Sequence, residues 1–266
     1  MNVAYNTNQQ DIAILVVSCD AYQDLWHPFF HCFFKYWPDC PYPVFLGSNT
    51  ASYSDVRVNP ILIGPDIDYS SNLMKMLDRI KQEWVILWIE DRVLRAPVDT
   101  ANLARLIQLA QSRGAGYLKL IANHPFAWAA DKTQEIAEIP KGSRYRVGIT
   151  VALWHKPVLL QLLCPGETAW ELERIGSGRS SNLDANFFCL TPQMRYTPPL
   201  SDIHLIVKGR LVRDARQFMK DENLLEGLGQ RKWQTIRSFW YGRLYLFITD
   251  TYSAFKWQWQ NLYNSK

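Results

Sequence analysis

Apolar runs and polar breaks alternate regularly through the first half of the chain. Residues 12–18 are an unbroken apolar stretch rich in β-branched side chains, as in a strand buried on both faces. Leu25, Trp26, Phe29, Phe30, Phe33, Phe34 and Trp37 then recur at helical spacing. Asp24 is placed to cap that helix, and Pro28 falls in its first turn, where proline is tolerated. Residues 43–47 and 56–63 read as two short strands, and residues 66–72 as a polar loop. Ser71 or Asn72 is placed to cap a second helix. Its apolar face is Leu73, Met76, Leu77 and Ile80, with Lys75 and Arg79 on the other side. Residues 84–89 are again wholly apolar, residues 102–110 are helical, and residues 116–121 are a further strand. Such repeated β-α-β units predict a parallel sheet sandwiched by helices.

The pattern loosens after residue 121. Strands are expected at 146–154, 186–190 and 202–207, a short helix opened by Pro157 at 158–163, and another helix at 168–175. From about Asn223 the chain reads as helical and dense in aromatics. The expected organisation is a catalytic domain over residues 1–220 and a helical aromatic and basic extension over residues 221–266.

Composition narrows the class. With 266 residues, 48% of them hydrophobic, the chain has ample material for a large core. The net charge of +4 is spread along the chain, so no nucleic-acid tract is indicated. Five cysteines without a C-x-x-C spacing argue against a disulfide framework or a zinc knuckle and fit a reducing compartment. The first ten residues are polar and do not read as a signal peptide, and no stretch is apolar enough to span a membrane. The expected location is therefore cytoplasmic. In the tail, Phe239, Trp240, Tyr245, Phe247 and Trp257 alternate with Arg237, Arg243 and Lys256. A helix of that kind suits peripheral contact with the inner face of a membrane, docking onto the catalytic domain, or a dimer contact. Oligomeric state is not legible.

Ligands of open parallel sheets gather at the carboxyl ends of the strands. Three such ends carry suitable groups: Ser18-Cys19-Asp20, the loop 66–72 ahead of Lys75, and Glu90-Asp91-Arg92. Adjacent carboxylates after a buried strand can hold Mg²⁺ or Mn²⁺ against diphosphate oxygens, anchor a ribose hydroxyl, or simply shape a turn.

The run Asn72-Leu73-Met74-Lys75-Met76-Leu77, followed by residues 83–91 ending in Glu90-Asp91, resembles the centre of GT-A-type glycosyltransferases. There a helix precedes a hydrophobic strand that ends in a DxD-like acidic motif. Residues 14–20 are similar to the family's nucleotide-binding first strand, and the overall look is of a bacterial enzyme of surface or capsular polysaccharide synthesis. The resemblance covers roughly residues 11–210. It implies a GT-A-like (Rossmann-like) α/β fold and transfer of a sugar from a nucleotide-sugar donor to a saccharide or lipid-linked acceptor. It places Ser18, Asp20, Asn72, Lys75, Arg92 and Lys208 at the donor, and Glu90, Asp91 and His204 at a divalent cation. Arg92 stands where a DxD motif would carry its second acid, so a cation on Arg92 could assume part of the metal's role.

An acceptor hydroxyl must lose its proton as it attacks, and Trp170-Glu171-Leu172-Glu173 offers carboxylates for that. Thr168-x-x-Glu171 is a capping box that would occupy Glu171, so Glu173 is the preferred base. His204 lies in an apolar run, where a core or edge histidine is the ordinary outcome, and Lys208 and Arg210 are equally readable as turn charges. Trp128, Trp154 and Trp170 are candidate acceptor platforms, although tryptophan packs into cores by default. No G-x-G-x-x-G, P-loop or G-x-S-x-G motif occurs. The alternatives are a nucleotidyltransferase, disfavoured by the lack of glycine at residues 20–23, and a non-catalytic carbohydrate-binding or membrane-associated scaffold.

Overall fold

The computed structural model describes residues 11–122, 134–228 and 230–235. Its centre is an eight-stranded sheet with strand order β3-β2-β1-β4-β8-β6-β9-β7. The strands are β1 (Ile12–Val17), β2 (Val44–Ser48), β3 (Val58–Leu62), β4 (Trp84–Ile89), β6 (Ala115–Lys119), β7 (Ile136–Glu138), β8 (Ala152–His155) and β9 (Asn186–Leu190). β1 to β4 are parallel to one another and β6 is parallel to β9, while β8 runs antiparallel between β4 and β6 and β7 antiparallel along β9. The expected sheet is thus mostly parallel rather than wholly so. Two small ladders flank it: β5 (Arg92–Leu94) with β10 (Asp202–His204), and β11 (Ile206–Val207) with β12 (Arg210–Leu211).

Every residue of β1 is buried because helices cover both faces. The even-numbered positions Ile12, Ile14 and Val16 face the core beneath α1 (Trp26–Tyr36) and α3 (Thr100–Ser112). Ala13, Leu15 and Val17 face the core beneath α2 (Tyr69–Asp78) and α4 (Lys156–Leu162). Packing on the second face is tight: a Cβ on Gly47 of β2 would lie 2.2 Å from the Met76 sulfur of α2, so any larger residue there would displace the Met76 side chain.

The helix ends differ from expectation. Asp68, not Ser71 or Asn72, caps α2, its carboxylate accepting from the Ser71 N–H at 2.8 Å. Asp24 caps nothing. The chain enters α1 through a 3₁₀ turn (Asp20–Leu25), and Asp24 is spent on a distant arginine. The strand expected over 146–154 shrinks to β8, because Arg146 turns inward to donate to the Ile139 and Ser180 carbonyls. The helix expected over 168–175 is α5 (Ala169–Glu171), a π turn (Leu172–Gly176) and α6 (Ser177–Arg179). After α7 (Arg216–Asp221) the chain forms a short 3₁₀ turn (Glu226–Leu228), and Trp233 then bridges Leu211. The aromatic tail beyond residue 235 lies outside the described residues. Among those described, no helix is long and apolar enough to cross a membrane.

Candidate active site

The carboxyl ends of β1 and β4 lie side by side, because the two strands pair in register from Ile12/Trp84 to Val17/Ile89. The turn after β4 is pinned by the Trp88 indole, which donates to the Arg92 carbonyl at 2.7 Å, and by the Leu205 N–H on the Asp91 carbonyl at 2.8 Å. Glu90 continues the parity of Trp84, Ile86 and Trp88 and turns inward, only 4% exposed. Its Oε2 has no hydrogen-bond partner among the described residues. Burial pushes Glu90 up to about 8, and neighbouring Asp91 adds to this against the Ser18 hydroxyl and Arg231. Burial likewise pushes Asp91 up to about 6, opposed by Arg92 and Arg231 and reinforced by Asp202. Two carboxylates are therefore held in a place that disfavours their charge, and a cation would restore it.

Arg92 does not supply that cation freely. Its guanidinium is ion-paired with Asp202 across the β5–β10 ladder, with a side chain only 12% exposed. The expectation that Arg92 faces a diphosphate gives way to this pairing. Arg231 acts on both Glu90 and Asp91 instead. It reaches back from the C-terminal segment to make a bidentate pair with Asp24 at 2.5 and 2.6 Å. Sequence reasoning passed over Arg231, grouping it with the tail charges. Its partner Asp24 lies 207 residues earlier, so no local pattern marks it.

His204 pairs with Arg92 in the ladder. Burial, and then Arg92, push its imidazole down to about 4. Its Nε2 has no partner among the described residues, so a neutral ring nitrogen is free to accept or ligate. Among those residues, no three His, Cys, Asp or Glu side chains converge into a protein-only metal cage. A diphosphate-bound Mg²⁺ or Mn²⁺ asks less: one or two carboxylates, with phosphate and water oxygens completing the octahedron. Asp91 and the unpartnered Oε2 of Glu90 meet that lesser demand.

The other expected donor residues serve varied ends. The Ser18 hydroxyl accepts from the Trp26 indole at 2.8 Å. Asp20 resists its own burial because it accepts from Thr50, Ala51 and Asn49, and its pKa is lowered. Its carboxylate is spent on the turn after β2 and shapes the loop rather than standing free. Asn72 is buried and ties Asp66 and the Ile67 N–H into the loop before α2. Lys75 is exposed on α2. Lys208 is exposed in the tight β11–β12 turn, with φ of 52°.

Glu173, the expected base, sits in the π turn, with Oε1 accepting from the Ile149 N–H at 3.1 Å. Burial pushes Glu173 up; the Ile149 N–H and Lys119 pull it back. The Tyr69 hydroxyl is buried, without a partner among the described residues, and feels both Glu173 and Glu90. Glu171 completes the capping box with Thr168, its Oε2 at 2.9 Å from the Thr168 N–H, which settles it in a local structural role. Trp154 is core: 1% exposed, its ring centroid 4.4 Å from that of Tyr117 and edge-on to Phe187. It offers no face to a sugar, and its expected acceptor role falls. Trp170 is 73% exposed beside this site. Trp128 lies outside the described residues.

No protein-family model matches the sequence, and no curated protein matches it. Solved structures do match the fold. The mannosyltransferase PcManGT from Pyrobaculum calidifontis, in complex with GDP-Man and Mn²⁺, aligns over 93% of this chain and 73% of its own, with a TM-score of 0.51 and 11% identity. S. aureus TarS 1–349, in complex with UDP-GlcNAc, aligns over 68% of this chain with a TM-score of 0.46 and 9% identity, and this chain spans only 58% of that fragment. At such identities the likeness speaks for the fold: a GT-A-like, mostly parallel sheet flanked by helices.

Proposed function

We propose that this chain is a glycosyltransferase that moves a sugar from a nucleotide-sugar donor to a saccharide or lipid-linked saccharide acceptor, with inversion at the anomeric carbon. The observation that carries this reading is the corner after β4, where buried Glu90 with an unpartnered oxygen and neighbouring Asp91 stand beside the carboxyl end of β1.

The donor diphosphate lies against the β4 corner. Asp91 and Glu90, with the free nitrogen of His204 nearby, would hold a divalent cation, which offsets the charge of the diphosphate. Arg231 faces the same corner from the C-terminal segment and stabilises charge developing on the leaving phosphate. Glu173, fixed by the Ile149 N–H, takes the proton of the acceptor hydroxyl as its oxygen bonds to the anomeric carbon. The bond from that carbon to the diphosphate breaks at the same time, and its electron pair leaves on the phosphate oxygen. Trp170 offers an exposed indole to the acceptor ring.

The test is a thermal-shift and transfer screen with UDP-, GDP-, CMP- and TDP-sugars, with and without Mn²⁺. One donor should raise Tm and support transfer to a saccharide acceptor. No shift with any donor would instead favour a non-catalytic scaffold. Binding with release of diphosphate from a sugar phosphate and a nucleoside triphosphate would favour a nucleotidyltransferase.

A further inference from the structure

The buried face of α1 carries Phe29, Phe30 and Phe33, so His27, His31 and Lys35 fall one turn apart on its outer side. All three are exposed. They line a hollow of about 330 Å³, together with Tyr53, Asp55 and Arg57 from the connection between β2 and β3. Tyr53 is held there by stacking on Phe30, with ring centroids 4.8 Å apart. The fixed charges around the hollow are matched. Arg57 pairs with Asp55 at 2.6 Å, and Lys35 pairs with Glu222 at 2.7 Å. The hollow therefore presents little net charge to an anion. The two imidazoles are its remaining polar groups of chemical interest.

The His27 and His31 ring centroids are 6.0 Å apart, with planes inclined at 48°. Two imidazoles on one cation, with metal–nitrogen bonds of about 2 Å, bring their ring centres to about 5–6 Å. Side-chain rotation alone can therefore close the pair on an ion. Each ring also has a neighbour that can set its orientation. Tyr53 Oη lies 3.5 Å from His27 Nδ1, and Glu222 Oε2 lies 3.3 Å from His31 Nε2. A carboxylate on one nitrogen of an imidazole fixes its tautomer and makes the other nitrogen a better ligand. Among the described residues no three His, Cys, Asp or Glu side chains converge, so water would complete the coordination. Nitrogen ligands of this kind suit Ni²⁺, Cu²⁺ or Zn²⁺, whereas the carboxylates of the β4 corner suit Mg²⁺ or Mn²⁺.

We propose that His27 and His31 together bind a late first-row divalent cation on the outer side of α1, at a site independent of the glycosyl-transfer reading. Ni²⁺ is the probe, because it suits imidazole, whereas Zn²⁺ would also be drawn to the free thiols. The experiment titrates Ni²⁺ into the full, untagged chain and follows the histidine side-chain signals by ¹H–¹⁵N NMR. His27→Gln and His31→Gln assign the two rings. Less than one equivalent should broaden both rings together, ahead of the other histidines. Calorimetry should show Ni²⁺ affinity falling by about tenfold or more in either variant, since a lost ligand costs at least as much as a lost outer partner. Mn²⁺ should bind this pair at least about tenfold more weakly than Ni²⁺. Should His31→Gln loosen the Glu222 contacts, His27→Gln carries the comparison. Broadening of one ring alone, or of another histidine first, overturns the proposal. So does an unchanged affinity in His27→Gln, or Mn²⁺ broadening the pair as readily as Ni²⁺.

Discussion

Two carboxylates hold opposite positions in this molecule. Glu222 is buried against α1 and fully answered: Lys35 Nζ donates at 2.7 and 2.8 Å, Tyr36 Oη at 2.6 Å, and His31 Nε2 lies at 3.3 Å. Burial works against its charge, yet those partners win and its pKa is lowered. Glu90 exposes as little surface but lies far deeper among protein atoms; one oxygen has no partner and burial prevails, raising it to about 8. The first arrangement stabilises the fold. The second costs stability and persists where a ligand would complete it. Burial of a charge therefore does not mark a site; the missing partner does.

The largest expected effect separates the two by activity. Asp91→Ala should lower sugar transfer on the order of a hundredfold or more while the far-UV spectrum and Tm in the absence of donor stay close to wild type. Glu222→Gln should leave kcat and donor affinity unchanged. A transfer rate indifferent to Asp91 would end the assignment of the β4 corner.

The second effect separates them by stability, and the signs are opposite. Glu222 has a depressed folded pKa, so its contribution is complete at neutral pH and is lost as pH falls through that value, below the ordinary carboxylate range. Glu222→Gln should cost about 2 kcal/mol at pH 7, discounted for the half-exposed Lys35, and the loss should vanish in acid. Glu90 has a raised folded pKa, so its contribution is complete below about 4.5, the unfolded value, and is lost as pH rises through about 8. Glu90→Gln should therefore raise Tm at pH 8.5 in metal-free buffer while abolishing transfer. Urea melts of the two variants across pH 4 to 9 would check both slopes, and parallel curves would refute the contrast.

The same contrast explains what was legible in the sequence. β1, β4 and β9 could be read nearly to the residue, because a strand buried on both faces is a continuous apolar run that needs no partner to be recognised. Glu90-Asp91 followed from its place at the end of such a run. β5 and β7 are three residues long and exist only because a distant strand pairs with them, so no local pattern announces them. Arg146 sits in a stretch whose apolar content is real, but its side chain is drawn inward to the Ile139 and Ser180 carbonyls. Arg231 and Tyr69 come to this region through tertiary packing alone. Each is an ordinary residue in its own segment, and neither is anomalous until the strand ends come together.

A third measurement sharpens the comparison within the C-terminal segment. Arg231 is bound to Asp24 and also faces Glu90 and Asp91, so it belongs to both kinds of arrangement. Arg231→Lys keeps the charge but loses the bidentate fork. It should weaken donor binding by about tenfold and leave the acceptor KM alone. Asp24→Asn, which removes the pair but keeps Arg231, should give a smaller loss. Equal losses would mean that Arg231 serves only to anchor the segment.

The smallest expected effect, that of Glu171→Gln, is the most discriminating when set beside Glu173, two positions further on. Glu171 lies in solvent and returns its carboxylate to the Thr168 N–H and hydroxyl. Glu173 lies under the sheet end and is answered by one N–H. Glu171→Gln keeps the geometry of the capping box, since glutamine serves there as well, and should change Tm only slightly and transfer not at all. Glu173→Gln removes the proton acceptor while preserving the hydrogen bond from Ile149, and should cost about two to four orders of magnitude in kcat with donor affinity intact. Steady-state rates on the two variants with one donor and one acceptor measure the difference directly. If Glu171→Gln lost turnover and Glu173→Gln did not, the base would be the solvent-facing residue, and burial beneath the strand ends would have nothing to do with the chemistry.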